Sequence, residues 1–320
     1  MAADMTEEQA AIDALYAEKP DHDFIVISHP IERALHQKLT AVLDKNRQLG
    51  GARKKCTIFL TTYGGDAHAG FRVARCLRHH YSGVRLVVTS YCKSAGTLVA
   101  IGANELAIGD VGELGPLDVQ VSKPTEILER GSGLDYTQAL MVALDHAQTA
   151  FSQSLLQMRG RLRLSTKMAG ELASRLACGV VEPLYAQIDP NRIGEMQRAI
   201  QIAHEYGRRL DGHGSNLKEG ALDTLVAGYP SHSFVIDRKE ARQLFNLVDS
   251  LTSAEQVACN KLWFLMRDQI EFCDLLHPST KQPENSNAQE AEGGGDAAEP
   301  EQQGVTAPNH DAAEGANTPE

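Results

Sequence analysis

Four short runs at residues 24–27, 56–61, 84–88 and 105–108 constrain this chain most. They are apolar without the alternation of a half-buried strand, as in Phe24-Ile25-Val26-Ile27 and Ile58-Phe59-Leu60. Runs of that kind belong to strands buried on both faces. Between them the apolar spacing becomes helical. Leu35, Leu39, Val42 and Leu43 mark a helix over 32–46. Gly70, Val73, Ala74 and Leu77 fall at i, i+3, i+4 and i+7 and mark another over 67–80. Residues 95–103 form a short helix of small and apolar residues. Strands alternating with helices predict an α/β architecture: a mostly parallel sheet with helices on both faces and right-handed crossovers.

Beyond residue 116 the strands thin out. The pattern predicts a long helix over 135–158, with Asp135 as N-cap and Gln138 in the box position, then helices over 165–176 and 192–210. Residues 233–236 read as a short strand. Thr252, Ser253, Ala254 and Glu255 form a capping box that opens a helix to about Leu276. That helix carries the single tryptophan, Trp263, with Leu262, Met266 and Ile270 on one repeat; the stripe reads as core or a subunit contact. Residues 277–320 hold nine acidic residues and one lysine, and so −8 of the net charge of −11. With almost no large apolar side chains, they do not offset the entropy of ordering and read as a disordered, solubilising acidic tail. The expected organisation is an N-terminal segment (1–20), an α/β domain with a helical arm (21–237), C-terminal helices (238–276) and the tail (277–320).

No run approaches the roughly 18 apolar residues of a membrane helix. Residues 1–20 carry Asp4, Glu7, Glu8 and Asp13 but no basic start followed by an apolar block. Neither a membrane span nor a secretory signal is expected. Cys56, Cys76, Cys92, Cys178, Cys259 and Cys273 form no Cys-x-x-Cys pair and suit neither zinc nor a disulfide framework. Reduced thiols in a cytoplasmic protein are the expectation. His204, His213 and His232 lack metal-ligand spacing, so no metal or cofactor is expected. Arg72, Arg75, Arg78 and Arg85 form a modest basic row without the interleaved aromatics of a single-strand binding surface, so nucleic acid is not an expected partner. No Walker motif is present, and any ATP dependence would need a separate ATPase partner.

Two segments break secondary structure at strand ends. Thr61-Thr62-Tyr63-Gly64-Gly65-Asp66 ends a strand in paired glycines just before a helix. Adjacent glycines admit positive φ and close backbone approach, and amides at a helix start favour negative charge. The bland alternative is an ordinary tight turn. Ser90-Tyr91-Cys92-Lys93-Ser94-Ala95-Gly96 leads the next strand into the helix of small residues. Ser94 reads either as an N-cap or as a nucleophile whose following amide, that of Ala95, helps to hold an oxyanion. Cys92 at the −2 position departs from G-x-S-x-G and disfavours an α/β-hydrolase elbow. The carboxyl ends of successive parallel strands share one edge, where sites collect.

The stretches TTYGGDAHAGFRVARCL (61–77), SYCKSAGTLVAIGANELAIGD (90–110) and GELGPLD (112–118) resemble the Clp protease/crotonase superfamily. Within it they resemble the S49 peptidases, especially the serine dehydrogenase proteinase family. The resemblance covers about residues 20–120. It weakens over 121–236, where ALDTLVAGYPSHSFVID (221–237) is still family-like, and does not reach the tail. It implies repeated ββα units with a helical arm, assembly into homo-oligomers, and a serine protease acting on peptides or proteins. By this resemblance Ser94 is the nucleophile, and Gly65 and Ala95 donate backbone amides to the tetrahedral intermediate. The base stays open. The histidine of the Clp subunit has no counterpart in the neighbourhood of Leu117, Asp118, Val119 and Gln120. A lysine further along, as in the S49 enzymes, leaves Lys123; His146 on the long helix is the other candidate, and Lys167 is remoter. Lys93, adjacent to Ser94, should point away from the hydroxyl. Asp118 either orients a base or caps a turn. Two other functions remain open: a crotonase-type acyl-CoA enzyme using Glu113 or Asp118, and a catalytically degenerate scaffold that recruits partners.

Overall fold

The computed structural model describes residues 2–117, 120–122, 130–186, 190–231 and 233–279. These all fall in one unit, Met1–Ser279. The elements of the first part are α1 (Ala2–Glu18), β1 (His22–Ser28), α2 (Arg33–Gln48), β2 (Lys55–Thr61), α3 (Ala67–His80), β3 (Gly83–Val88), β4 (Tyr91–Cys92), α4 (Ala95–Gly102), β5 (Glu105–Ile108) and β6 (Glu113–Leu114). Then come β7 (Gln120–Ser122), β8 (Arg130–Ser132) and three arm helices, α5 (Gly133–Gly160), α6 (Thr166–Tyr185) and α7 (Pro190–Gly214). The last part holds α8 (Ala221–Ala227), α9 (Arg238–Leu244), β9 (Val248–Asp249), α10 (Ser253–Lys261), α11 (Trp263–Met266) and β10 (Phe272–Leu276).

The four apolar runs form the middle of a six-stranded sheet of order β10-β1-β2-β3-β5-β9. Neighbours are parallel except β10, which runs antiparallel to β1. The mixed α/β, parallel-dominated architecture read from the runs is the one observed. Their lack of alternation has a plain cause, since each strand faces a core on both sides. Ile58 and Leu60, Leu86 and Val88, and Leu106 and Ile108 enter one core with α2, α3 and α4. Phe59, Val87 and Ala107 enter a second core with residues of α1, α10 and α11. Each fully buried Leu, Ile or Phe contributes about 2 kcal/mol by leaving water.

The second face also carries charge. Arg85 of β3 is buried and donates to both carboxylate oxygens of Glu255, at 2.7 and 3.1 Å. Lys19, just past α1, reaches the same carboxylate at 2.7 Å. Glu255 is also the third residue of α10 and closes its capping box, accepting from the Thr252 amide at 2.9 Å.

Several expectations are corrected. The helix opened by that box does not run to Leu276. It ends at Lys261, a single further turn follows, and Phe272–Leu276 is a strand paired with β1. Glu271 has φ +60°, which no right-handed helix accepts. The open edge of β1 supplies the partner that overrides the local spacing. Leu262 and Met266 are buried, but Trp263 is 39% exposed and so is not core. Residues 238–276 therefore supply two strands as well as helices. Residues 1–20 are mostly helix, with α1 packed on α10. The strand expected at 233–236 reduces to one bridge between Ile236 and Leu114. In the arm, α5 packs on α6 and α7, and α7 also reaches α3 and α4. From Thr280 onward the expected tail lies outside the described residues. No described helix is long and apolar enough to cross a membrane.

Candidate functional site

Both turns singled out in the sequence stand at the carboxyl edge of the sheet, and backbone pairing holds them together. The Thr62 amide donates to the Tyr91 carbonyl at 2.9 Å, and the Lys93 amide donates to the Thr62 carbonyl at 3.0 Å. That pairing seats the glycine turn against the serine turn. Gly64 has φ +101°, and a Cβ there would lie 2.7 Å from Ser94 Cβ and 2.9 Å from the Lys93 carbonyl oxygen. Only glycine fits. Gly65 has φ +147°, and a Cβ there would fall 2.2 Å from the Ile31 carbonyl oxygen. Ile31 bridges this turn by donating to the Gly64 carbonyl at 2.9 Å and accepting from the Asp66 amide at 2.7 Å. The bridge leaves the exposed Gly65 amide without a partner among the described residues. Asp66 then caps α3 by accepting from the His68 and Ala69 amides.

Ser94 is one of four non-glycine residues with positive φ among those described, at φ +51° and ψ −116°. A side chain held there costs on the order of 1–3 kcal/mol, sustained by the surrounding packing. It occupies the N-cap position of α4, yet its hydroxyl makes no capping hydrogen bond. The usual reason for a serine at such a place is therefore missing. Ser94 is 6% exposed. The Ala95 amide, at the first helical position, has no partner among the described residues.

The neighbouring side chains have defined tasks. Lys93 forms an ion pair with Glu113 at 2.7 Å and donates to the carbonyls of Leu114 and Phe234. Glu113, the carboxylate considered for acyl-CoA chemistry, is thus engaged. Burial pushes the Cys92 thiol up to about 12. It stays protonated and leaves the Ser94 hydroxyl as the nucleophilic candidate on this turn. Tyr63 and Tyr91 stack with ring centroids 4.1 Å apart, and the Tyr91 hydroxyl donates to Asp268 at 2.5 Å. That hydrogen bond holds the Asp268 carboxyl below the usual carboxylate range. Burial first, and then Asp268, push the Tyr91 phenol up. Gln269 accepts from the Tyr63 amide at 3.0 Å, while the carbonyls of Met266 and Arg267 accept from Thr61 and Ser90. Residues 266–269 thereby brace both turns. Sequence reasoning missed them because they lie more than 170 positions from the turns and carry no local signature beyond a polar stretch.

The base candidates are not all visible. Lys123 and Asp118, like His232, lie outside the described residues. The neighbours of residues 93–97 named above come from the Gly64 turn, β6 and the Phe234 segment, whereas His146 is exposed on α5. His68, at the start of α3, is hydrogen-bonded to the Tyr206 hydroxyl of α7 at 2.7 Å. Among the described residues no group of three His, Cys, Asp or Glu side chains could hold a metal. The arrangement sets the positive-φ Ser94 against Gly64, with the Gly65 and Ala95 amides, one residue on from each, unengaged among the described residues. Such a cluster can hold a developing oxyanion next to an attacking hydroxyl.

Comparison with known proteins gives three findings. Residues 41–193 match the family model described as "ClpP-like SDH-type serine proteinase". An uncharacterized protein of Methanocaldococcus jannaschii is 29% identical over 106 residues, which cover 31% of this chain. The chain spans only 37% of that relative's length. Solved structures that match include a mutant of the 1510-N membrane-bound stomatin-specific protease, at 18% identity and TM-score 0.28, covering 47% of this chain and 67% of that one. A second mutant of that protease, in complex with a substrate peptide, matches at 17% identity and TM-score 0.28, covering 47% and 64%. A ClpP1 mutant from Listeria monocytogenes matches at 15% identity and TM-score 0.24, covering 49% and 82%.

Proposed function

From the match of residues 41–193 to the ClpP-like SDH-type serine proteinase model, we propose that this chain is a serine peptidase with Ser94 as nucleophile. The observation that carries the reading is the backbone of Ser94, held at φ +51° against Gly64 while its hydroxyl makes no capping bond. In the proposed reaction the Ser94 Oγ attacks the peptide carbonyl carbon and its proton passes to a base. The Gly65 and Ala95 amides hold the oxyanion. Collapse of the intermediate expels the amine, which takes the proton, and water then releases the acyl group from Ser94 by the same steps.

Lys123 and His146 are the candidates for the base. The same reading takes peptides or proteins as substrates, several copies of the chain as the working assembly, a separate ATPase where substrates must be unfolded, and the cytoplasm as the compartment. The acyl-CoA alternative is weakened by the Lys93–Glu113 pair, which occupies one of its two candidate carboxylates.

A fluorophosphonate probe tests the nucleophile. Folded protein gains the mass of one adduct on Ser94, and Ser94→Ala removes both the adduct and peptidase activity, by roughly a thousandfold or more. Folded protein that takes no adduct overturns the proposal. The base is then assigned by comparing Lys123→Ala with His146→Ala. The variant that slows labelling while keeping the unfolding midpoint identifies the proton acceptor.

A further inference from the structure

Two aromatic rings and a carboxylate flank the serine turn. Tyr63 immediately precedes Gly64, and a Cβ on Gly64 would lie 2.7 Å from Ser94 Cβ. Tyr91 precedes Ser94 on the segment paired with Thr62. The two rings stack with centroids 4.1 Å apart and planes 17° from parallel. Tyr91 covers one face of the Tyr63 ring, yet Tyr63 is 54% exposed, so its other face is open to solvent. Asp268 stands exposed at the hydroxyl edge of the stack. Its Oδ1 accepts from the Tyr91 hydroxyl at 2.5 Å, the Gln269 amide at 2.7 Å and the Tyr63 hydroxyl at 3.4 Å. Three donors on one oxygen fix the plane of the carboxylate and keep it ionised. Its Oδ2 accepts no hydrogen bond among the described residues, and no described cation forms an ion pair with it. Arg267, its sequence neighbour, acts on it only through space. Bracing the two turns thus uses one carboxylate oxygen and one face of each ring, and leaves a negative oxygen and a bare aromatic face side by side.

We propose that this rim is a subsite for an arginine side chain of the peptide substrate, with its guanidinium stacked on the open face of Tyr63 and donating to Asp268 Oδ2. A guanidinium is planar and weakly hydrated. It can lie on a ring while its edge donates to a carboxylate, whereas the ammonium of lysine is a compact, strongly hydrated point charge that gains less from the ring. The same carboxylate and the negative faces of the rings repel an acidic side chain. The subsite deepens the peptidase reading and rests on it, because its occupant is a peptide bound at Ser94.

Binding is measured on full-length Ser94→Ala protein, by anisotropy of fluorescein-labelled Ala-Ala-Arg-Ala-Ala and of the same peptide with Lys, Leu or Glu in place of Arg. The expected order is Arg tightest, then Lys, Leu and Glu, with Arg about tenfold tighter than Leu. Adding Asp268→Asn keeps an acceptor for the tyrosines but removes the charge, and brings the Arg peptide within about threefold of the Leu peptide with the unfolding midpoint retained. Adding Tyr63→Leu does the same by removing the stacking face. The proposal is overturned if the Leu peptide binds as tightly as the Arg peptide, if the Arg preference survives both substitutions, or if no peptide binds up to about 1 mM. Anisotropy needs no turnover. Parent protein that takes no fluorophosphonate adduct therefore overturns the hydrolytic reading, whereas labelled parent with no preference for Arg in its Ser94→Ala form overturns this subsite alone.

Discussion

The two faces of the central sheet are built by different routes. The face under α2, α3 and α4 is built first from neighbouring elements of the chain's first third, with residues of α7, α8 and α9 closing it, and it buries the Asp23 carboxylate against Asn46, Arg53 and Tyr81. The opposite face gathers α1, α10 and α11 from distant parts of the chain and secures them with the buried Arg85–Glu255 pair and Lys19. Ion pairing of that kind fixes orientation more than it adds net stability, because desolvation offsets the attraction. The contrast separates two jobs. The first face seats the two turns between the sheet and its helices, while the second locks the sheet and, through residues 266–269, braces the same turns from afar.

The largest test of this contrast removes the lock. Glu255→Ala leaves the buried Arg85 guanidinium only the longer contacts to Glu105 at 3.5 Å and Asp249 at 3.8 Å, and denaturant unfolding should show a loss of about 3 kcal/mol. The molecules that stay native should still take a fluorophosphonate adduct at the parental rate. A loss below about 1 kcal/mol would make the second face no different from an exposed pair. Gly64→Ala touches the other face. Its Cβ has no room beside Ser94 and its φ is unfavourable for alanine, so a stability loss of about 2 kcal/mol should come with labelling slowed at least about tenfold. Parental labelling in Gly64→Ala would separate the glycine turn from the chemistry.

The smallest effect is a slope with pH. Burial alone would push the Glu255 carboxyl up, but Arg85 and Lys19 bring it below its ordinary value of 4.5. A carboxylate with a depressed folded value contributes fully above the ordinary value and loses that contribution as pH falls through the folded one. Chemical denaturation from pH 6 downward should therefore show stability falling below about pH 4.5. In Glu255→Gln that component of the slope should be gone; an unchanged slope would deny the lock its charge.

The same contrast explains what was legible beforehand. The runs that became β1, β2, β3 and β5, and the helices α2, α3 and α4, were readable because each is defined by spacing within about fifteen residues. The two special turns were readable as interruptions of those elements. What escaped was set at long range. β10 looks helical by spacing and becomes a strand only because β1 offers an edge. The brace of Asp268 and Gln269 on Tyr63 and Tyr91 has no local signal at all. The bland reading of Ser94 as an N-cap was equally sound on sequence, and only its dihedral angles and absent capping bond distinguish the alternatives.

The pairing of β1 with β10 also sets an order of events. On the ribosome β1 emerges early, and β2 follows soon after, but Leu276 pairs with Phe24 about 250 positions later. Through most of translation one flank of the growing sheet stays open, with its amides and carbonyls available to any passing strand. The nascent protein thus depends on speed, dilution or chaperones until its last strand arrives. Any shortening that removes residues 272–276 would turn that transient exposure into a permanent one.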